Sequence, residues 1–328
     1  MNHKKTIWII ILTASLVINA ASKSYSFGFF AHRKINRMAV FMLPPEMFAF
    51  YKKHIEYLTE HAIDPDKRSR VIEGEDKKHY IDLEYYGSHP FDTIPFIWKD
   101  AVSKFTEDTL QKYGTNPWWV NKLTYSLTQA FKEENLDDIL YISANIGHYI
   151  ADACTPLHTT QYYDGRTIEQ KGIHAFWETR IPELEADSYN FMLGRAEYID
   201  KPNTFFWKLI RQSHEAVDTI FMIDSVLSAA FPEDKKYVYE ERLGLVKKLF
   251  SKEYADEFEL LSKKMVERRM KTAVRAVAGV WLTAWINAGQ PDLARLEDKE
   301  ISKAHQKELD DIEKMWKTGK PVGRPNPE

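Results

Sequence analysis

The sequence is poor in cysteine and in net charge. Cys154 is the only cysteine among 328 residues, so no intramolecular disulfide can form, and stability must come from the core or from a bound ion. A formal charge of -3 at pH 7 provides no general basic field, which argues against tight capture of a nucleic-acid backbone by charge alone. With 44% hydrophobic residues, the chain can build a large core as one big domain or two smaller ones.

Long apolar runs are also absent. The longest, about residues 7–18, is too short for an ordinary membrane span, and it follows basic residues near the amino terminus. This arrangement predicts a secretory signal over residues 1–26, with cleavage before Phe27 and cleavage after Ala20 or Ala21 as the alternative. We therefore expect an exported protein, periplasmic or secreted.

No segment alternates as a strand, and nearly every periodic segment has the helical period. The predicted fold class is all-α, a single multi-helical domain over residues 27–292, followed by a charged helical or flexible tail over 293–328. The predicted helices cover about 30–43, 45–62, 97–113, 117–132, 136–154, 172–186, 204–230, 236–250 and 253–289.

Two stretches lack clear periodicity. Residues 64–95 form a connection of a length that is uncommon inside compact domains and is usually functional. Residues 159–171 are shorter and could form one wall of a cleft.

Five potential metal ligands lie within 31 residues. His148 and Asp152 are four residues apart, as are His174 and Glu178, so each pair projects side by side from a helix and could bind one ion. His158 would point elsewhere on an unbroken helix. Pro156 disfavours helical geometry before it, which lets the chain turn His158 toward a second ion.

The helix that carries the first pair has almost no polar face from residue 136 to 150, which predicts a buried central helix. A pair of this kind on a surface is usually an ordinary ion pair. An ionised Asp152 in a buried setting needs a partner, and a cation is a suitable one.

Three further motifs extend the series: His32 in FGFFAHRKI, an acidic residue in DPDKR, and His79 in HYID. In this order the residues resemble the zinc-dependent phospholipase C and single-strand-specific nuclease superfamily, over roughly residues 27 to 180. The resemblance implies a helical domain with a buried trinuclear zinc site at one end. The implied ligands are Asp66, His79, His148 and one oxygen of Asp152 for the first zinc; His158, His174 and Glu178 for the second; and His32, the other oxygen of Asp152, and the amino group and carbonyl of Phe27 for the third.

The chemistry of these ligands fits that assignment. Imidazoles and carboxylates without thiolates suit zinc in a catalytic role, with manganese or iron left open. Clustered cations activate a water and stabilise charge on phosphoryl oxygens, so phosphodiester hydrolysis is the expected reaction. Asp66 is the expected residue to orient or deprotonate the water, and Asp64 competes with it for the same position.

The substrate stays open between a phospholipid head group and single-stranded nucleic acid. The nuclease pattern D-x-H-Q-P-x-H is not matched by residues 152–158, and the single cysteine excludes the disulfides of nuclease members. Glu178 as the last ligand is more like the phospholipase branch, while Trp177 before it is like the nuclease motif. A non-catalytic metal-binding envelope protein is a further alternative. No stable protein partner is inferred, and the sequence leaves the oligomeric state undetermined.

Overall fold

The computed structural model describes residues 28–242 and 244–324. The predicted signal, residues 1–26, and Phe27 lie outside these described residues. The helices are α1 Phe29–Val40, α2 Pro45–Lys53, α3 Ile55–Glu60, α4 Asp64–Ser69, α5 Pro90–Thr93, α6 Trp98–Phe105, α7 Glu107–Tyr113, α8 Asn116–Lys132, α9 Leu136–Cys154, α10 Ile173–Ala175, α11 Ile181–Glu185, α12 Pro202–His214, α13 Val217–Ala230, α14 Glu233–Lys236, α15 Lys252–Leu261, α16 Met265–Asn287, α17 Ala294–Glu297 and α18 Lys303–Thr318. The predicted all-α class is confirmed, with one small two-stranded sheet added.

Helix α9 lies at the centre of the fold. It packs against α8, α16 and α1, and nearly every residue after its first turn is buried. At its amino end, the side chain of Asn135 accepts a hydrogen bond from the backbone N–H of Asp138, which caps the helix. The prediction of a buried central helix over 136–154 is therefore confirmed to the residue.

Helices α1 and α9 approach closely at Gly147. A Cβ atom built on Gly147 would lie 1.9 Å from Oδ1 of Asn36, so only glycine fits there. The Asn36 side chain donates hydrogen bonds to the carbonyls of Leu58 and Ala144, at 3.0 and 2.9 Å. This contact holds α1, which carries His32, against the helix that carries His148.

The predicted helix over 236–250 is wrong. Strands β1 Tyr237–Arg242 and β2 Leu245–Phe250 pair antiparallel, with Arg242 opposite Leu245. Gly244 in the connection has φ of +77°, a conformation typical of short hairpin turns and costly for other residues. The aromatic and β-branched residues at the start of β1 also favour a strand, while the charged residues that follow them fit a helical period as well.

Several predicted helices are broken. The segment 97–113 is split at Thr106, with φ of +67°, and 253–289 is split at Lys263 and Lys264, with φ of +55° and +56°. The segment 204–230 forms α12 and α13. No glycine or proline marks the first two breaks, so local sequence rules did not locate them.

Helix α18 lies in the predicted tail and packs against α4. Among residues 28–242 and 244–324, no helix is long and apolar enough to cross a membrane.

Candidate metal centre

The carboxyl-terminal half of α9 carries the first pair of predicted ligands. His148 and Asp152 are both completely buried, and Nε2 of His148 lies 3.4 Å from Oδ2 of Asp152. The helix ends at Cys154, Thr155 is extended with ψ of 115°, and residues Pro156–Thr159 form a 3₁₀ turn. The predicted break before Pro156 is confirmed, and His158 lies with its Nε2 3.8 Å from Oδ1 of Asp152.

The stretch over 64–95 contributes Asp66 and His79, but it is not irregular throughout, because α4, which carries Asp66, and α5 lie within it. Oδ1 of Asp66 lies 3.5 Å from Nε2 of His148, and Nδ1 of His79 lies 3.0 Å from Oδ2 of Asp152. Asp64 is instead paired with His61 and Lys67, at 2.6 and 3.0 Å. Of the two competing acids, the structure places Asp66 beside the other predicted ligands.

Glu178 lies in a π-helical turn, Phe176–Arg180, between α10 and α11. Such turns are rare and occur often at functional sites, because they shift a side chain relative to a regular helix. Oε2 of Glu178 lies 2.7 Å from Nε2 of His174 and 3.2 Å from Nε2 of His158. Oε1 lies 3.1 Å from Nε2 of His32, so one carboxylate joins the second predicted group of ligands to His32.

Eight of the nine predicted ligands therefore converge, and the ninth, Phe27, lies outside the described residues. They form four overlapping groups in which the ligand atoms lie within 4.8 Å of one another. The groups are His32, Asp66 and His148; His79, His148 and Asp152; His158, His174 and Glu178; and His32, Asp152 and Glu178.

Backbone carbonyls fix the orientation of three imidazoles. Nδ1 of His148 donates to the carbonyl of Ala62 at 2.8 Å, Nδ1 of His158 donates to that of His79 at 2.9 Å, and Nδ1 of His174 donates to that of Tyr163 at 3.2 Å. A carbonyl only accepts, so Nδ1 of each ring carries a proton and Nε2 faces the centre, where it can bind a metal ion once it is deprotonated. This is the arrangement in which protein histidines bind metal ions.

Buried polar atoms that lack a hydrogen-bond partner indicate whether a metal ion fits at this site. Among residues 28–242 and 244–324, neither buried carboxylate oxygen of Asp152 has a partner with hydrogen-bond geometry, and the same is true of Nδ1 of His32 and Nε2 of His79. Leaving a buried carboxylate without a partner costs several kcal/mol, whereas a divalent cation would satisfy it. The residues present therefore fit bound metal ions.

The ionisable groups of the centre also favour a bound cation. Burial raises the pKa of Asp152, but the neighbouring His148 and His158 outweigh it, and the net pKa is lowered. Burial lowers the pKa of His158, but Asp152 and Glu178 more than offset it, raising that pKa to about 9. The centre therefore attracts positive charge.

A comparison with protein families agrees with this geometry. The chain matches the model of the zinc-dependent phospholipase C family over residues 31–230. The chain belongs to this family. No curated protein matches the chain. Membership makes the protein a zinc-dependent hydrolase acting on phosphoric ester bonds, and the matched residues include all eight converging side chains.

The zinc-dependent phospholipase C fold leaves a cleft over these side chains. Asp66, His79, His158 and His174 line it, together with Tyr80, Tyr163 and Arg324. Sequence reasoning missed the last three residues. Two of them could have been found, because Tyr80 is adjacent to His79 and Tyr163 lies in the irregular stretch over 159–171. Nothing in the sequence near Arg324 connects it to the cleft.

Proposed function

We propose that the protein is an exported zinc-dependent phosphodiesterase, phospholipase C-like, that hydrolyses a phosphodiester by attack of water activated at a trinuclear zinc site. The observation that carries this proposal is the convergence of eight ligand side chains on one centre, with Asp152 and Glu178 each shared between groups. Four of the eight, Asp66, His79, His158 and His174, line the cleft. Shared carboxylates offset the repulsion between neighbouring cations.

The proposed ligand sets follow the groups. Asp66, His79, His148 and Asp152 would hold one zinc, and His158, His174 and Glu178 a second. His32 and the other oxygen of Asp152 would hold a third, completed by the amino group and carbonyl of Phe27. Glu178 also lies within reach of His32 and could add to this third set.

The start of the described chain supports a role for Phe27. A Cβ atom built on Gly28 would lie 3.1 Å from Oε1 of Glu178 and 3.7 Å from the ring of His32. The residue after Phe27 thus touches the centre. Removal of the signal 1–26 would place a free amino group one residue away, which supports export and processing as part of the proposal.

Zinc ions, when bound, lower the pKa of coordinated water and stabilise negative charge on phosphoryl oxygens. Asp66 is the proposed residue to orient that water and accept its proton. Its side chain reaches the cleft, and His148 more than compensates for the effect of burial and lowers its pKa, so it is an ionised acceptor at neutral pH.

The proposal predicts that chelation abolishes hydrolysis of phosphatidylcholine or a chromogenic phosphodiester, and that added zinc restores it.

Asp152→Asn keeps the shape of the side chain but removes the charge that two zinc sites share. We expect it to lower activity by at least about a hundredfold and to reduce bound zinc. Asp138→Asn is the matched control, because Asp138 is exposed on the same helix.

The same assay separates the alternatives. Faster cleavage of single-stranded nucleic acid than of phosphatidylcholine would assign the site to the nuclease function. If wild-type protein is no more active than Asp152→Asn on either substrate, the result would support a non-catalytic metal-binding protein. Activity that survives complete metal removal would refute the proposal.

A further inference from the structure

The C-terminal segment, residues 319–324, docks at the rim of the cleft, and its last residue, Arg324, lines the cleft. Its backbone is held at two points: the N–H of Val322 donates to the carbonyl of Arg70 at 2.8 Å, and the N–H of Arg324 donates to Oδ2 of Asp76 at 2.9 Å. Between them Gly323 has φ of +77°, and a Cβ atom there would meet Asp76 at 2.9 Å. The segment is therefore fitted to the surface that it covers.

The side chain of Arg324 is enclosed by a cation cage, formed by Tyr80, Tyr163 and Asp82. The guanidinium lies 4.2 Å from the centre of the Tyr80 ring and 3.8 Å from that of Tyr163. Nη1 donates to Oδ1 of Asp82 at 3.0 Å, and the side chain is only 19% exposed. A flat guanidinium fits between two rings while donating in its own plane, which a lysine ammonium does not reproduce.

The space left in the cleft is small. With the C-terminal segment in place, the cavity that Arg324 shares with Asp66, His79, His158 and His174 measures about 40 Å³. This is room for about one water molecule, whereas sites for small-molecule ligands measure roughly 300–1,000 Å³. A phosphodiester substrate therefore does not fit while the segment is docked.

We propose that residues 319–324 are a tethered cover of the metal centre, held closed by Arg324 in the cation cage of Tyr80, Tyr163 and Asp82. The cover must leave before substrate enters, so the chain inhibits itself in proportion to the time it spends closed. The segment lies beyond the part of the chain that matches the family model, so it is a feature of this chain and not of the family match. As a statement about catalysis, this inference rests on the proposed function.

The test compares full-length, zinc-loaded wild-type protein with Arg324→Ala. Loss of two cation–π contacts, the ion pair with Asp82 and the 3.4 Å hydrogen bond to the carbonyl of Gln161 should favour the open state by roughly tenfold, and kcat/KM on a small chromogenic phosphodiester should rise by a similar factor. Arg324→Lys should show a smaller rise. Lys320→Ala, an exposed change in the same segment, should behave as wild type.

A second measurement does not depend on catalysis. The rate at which a chromogenic chelator removes zinc should be faster in Arg324→Ala than in wild type or Lys320→Ala, because the cover lies over the proposed ligands. N-acetyl-arginine amide should slow zinc removal in Arg324→Ala by taking the vacated cage, and should have little effect on wild type.

The two readouts separate the two proposals. If neither wild type nor the variants hydrolyse a phosphodiester, but zinc is removed faster from Arg324→Ala than from wild type, the cover is supported and the proposed function is refuted. Zinc removal from Arg324→Ala at the wild-type rate, or a fall in kcat/KM without faster removal, would overturn the cover.

Discussion

Glu75 and Asp152 are both buried carboxylates, but only Glu75 has a full set of partners within the chain. Oε1 of Glu75 accepts from Nε of Arg68 at 3.1 Å and from the Tyr149 hydroxyl, and Oε2 accepts from Lys78. Within the part of the chain that the structure describes, neither oxygen of Asp152 accepts a hydrogen bond of good geometry, although Oδ2 lies 3.0 Å from Nδ1 of His79. At the residue scale, this contrast separates a carboxylate that stabilises the fold from one that requires an added cation.

Glu75 makes stability depend on pH in a predictable direction. Burial raises its pKa, but Arg68 and Lys78 more than offset this and lower it from 4.5 to about 2. A carboxyl group whose pKa is depressed in the folded state adds stability above its unfolded pKa, and this contribution is lost as pH falls toward the folded value. The difference corresponds to about 3 kcal/mol.

We therefore expect Glu75→Gln to lower the free energy of unfolding by about 3 kcal/mol at pH 7, and by progressively less between pH 4.5 and 2. Denaturant unfolding in EDTA measures this without a contribution from metal loss. The exposed neighbour Glu73→Gln is the control. A loss of stability of equal size at pH 7 and pH 2 would contradict the ionic account.

At the scale of secondary-structure elements, the approach of α1 to α9 sets the distance between His32 and His148. Their rings stack with centroids 3.8 Å apart. His148 directly follows Gly147, and His32 lies one turn of helix before Asn36. The contact at Gly147 is therefore part of what positions the metal centre.

Gly147→Ala tests this contact. Alanine favours a helix by about 1 kcal/mol over glycine, yet the new Cβ would overlap Asn36, so we expect a net destabilisation of about 2–4 kcal/mol. Thermal unfolding of the single and double variants measures it. In an Asn36→Ala background the same change should cost much less, and an equal cost in both backgrounds would show that the clash is not the cause.

The sequence predicted a secondary-structure element correctly where its own residues carry both a clear hydrophobic pattern and a signal for its end. Helix α9 has a continuous apolar sequence and a proline after its end, and its bounds follow from these alone. The hairpin at 237–250 was missed because charges at short spacing in β1 and β2 fit a helix about as well as a strand. The π-helical turn around Glu178 depends on packing, and sequence spacing does not reveal it.

At the scale of the whole molecule, the candidate centre was predictable because its ligands have characteristic spacings on helices. His148, Asp152, His174 and Glu178 follow from i,i+4 pairs, and the break at Pro156 gives His158. The cover was not predictable, because Arg324 reaches the cleft only through the docking of α18 against α4. Contacts between distant parts of a chain leave no local pattern.

The central claim is that these ligands hold three divalent ions in one centre. Its most direct test is the zinc content per chain of exported, processed protein, measured by elemental analysis beside an intact mass that identifies the first residue. The account predicts three zinc ions per chain on a protein that begins at Phe27. A protein of that mass, supplied with excess zinc, that retains one ion or none would contradict it.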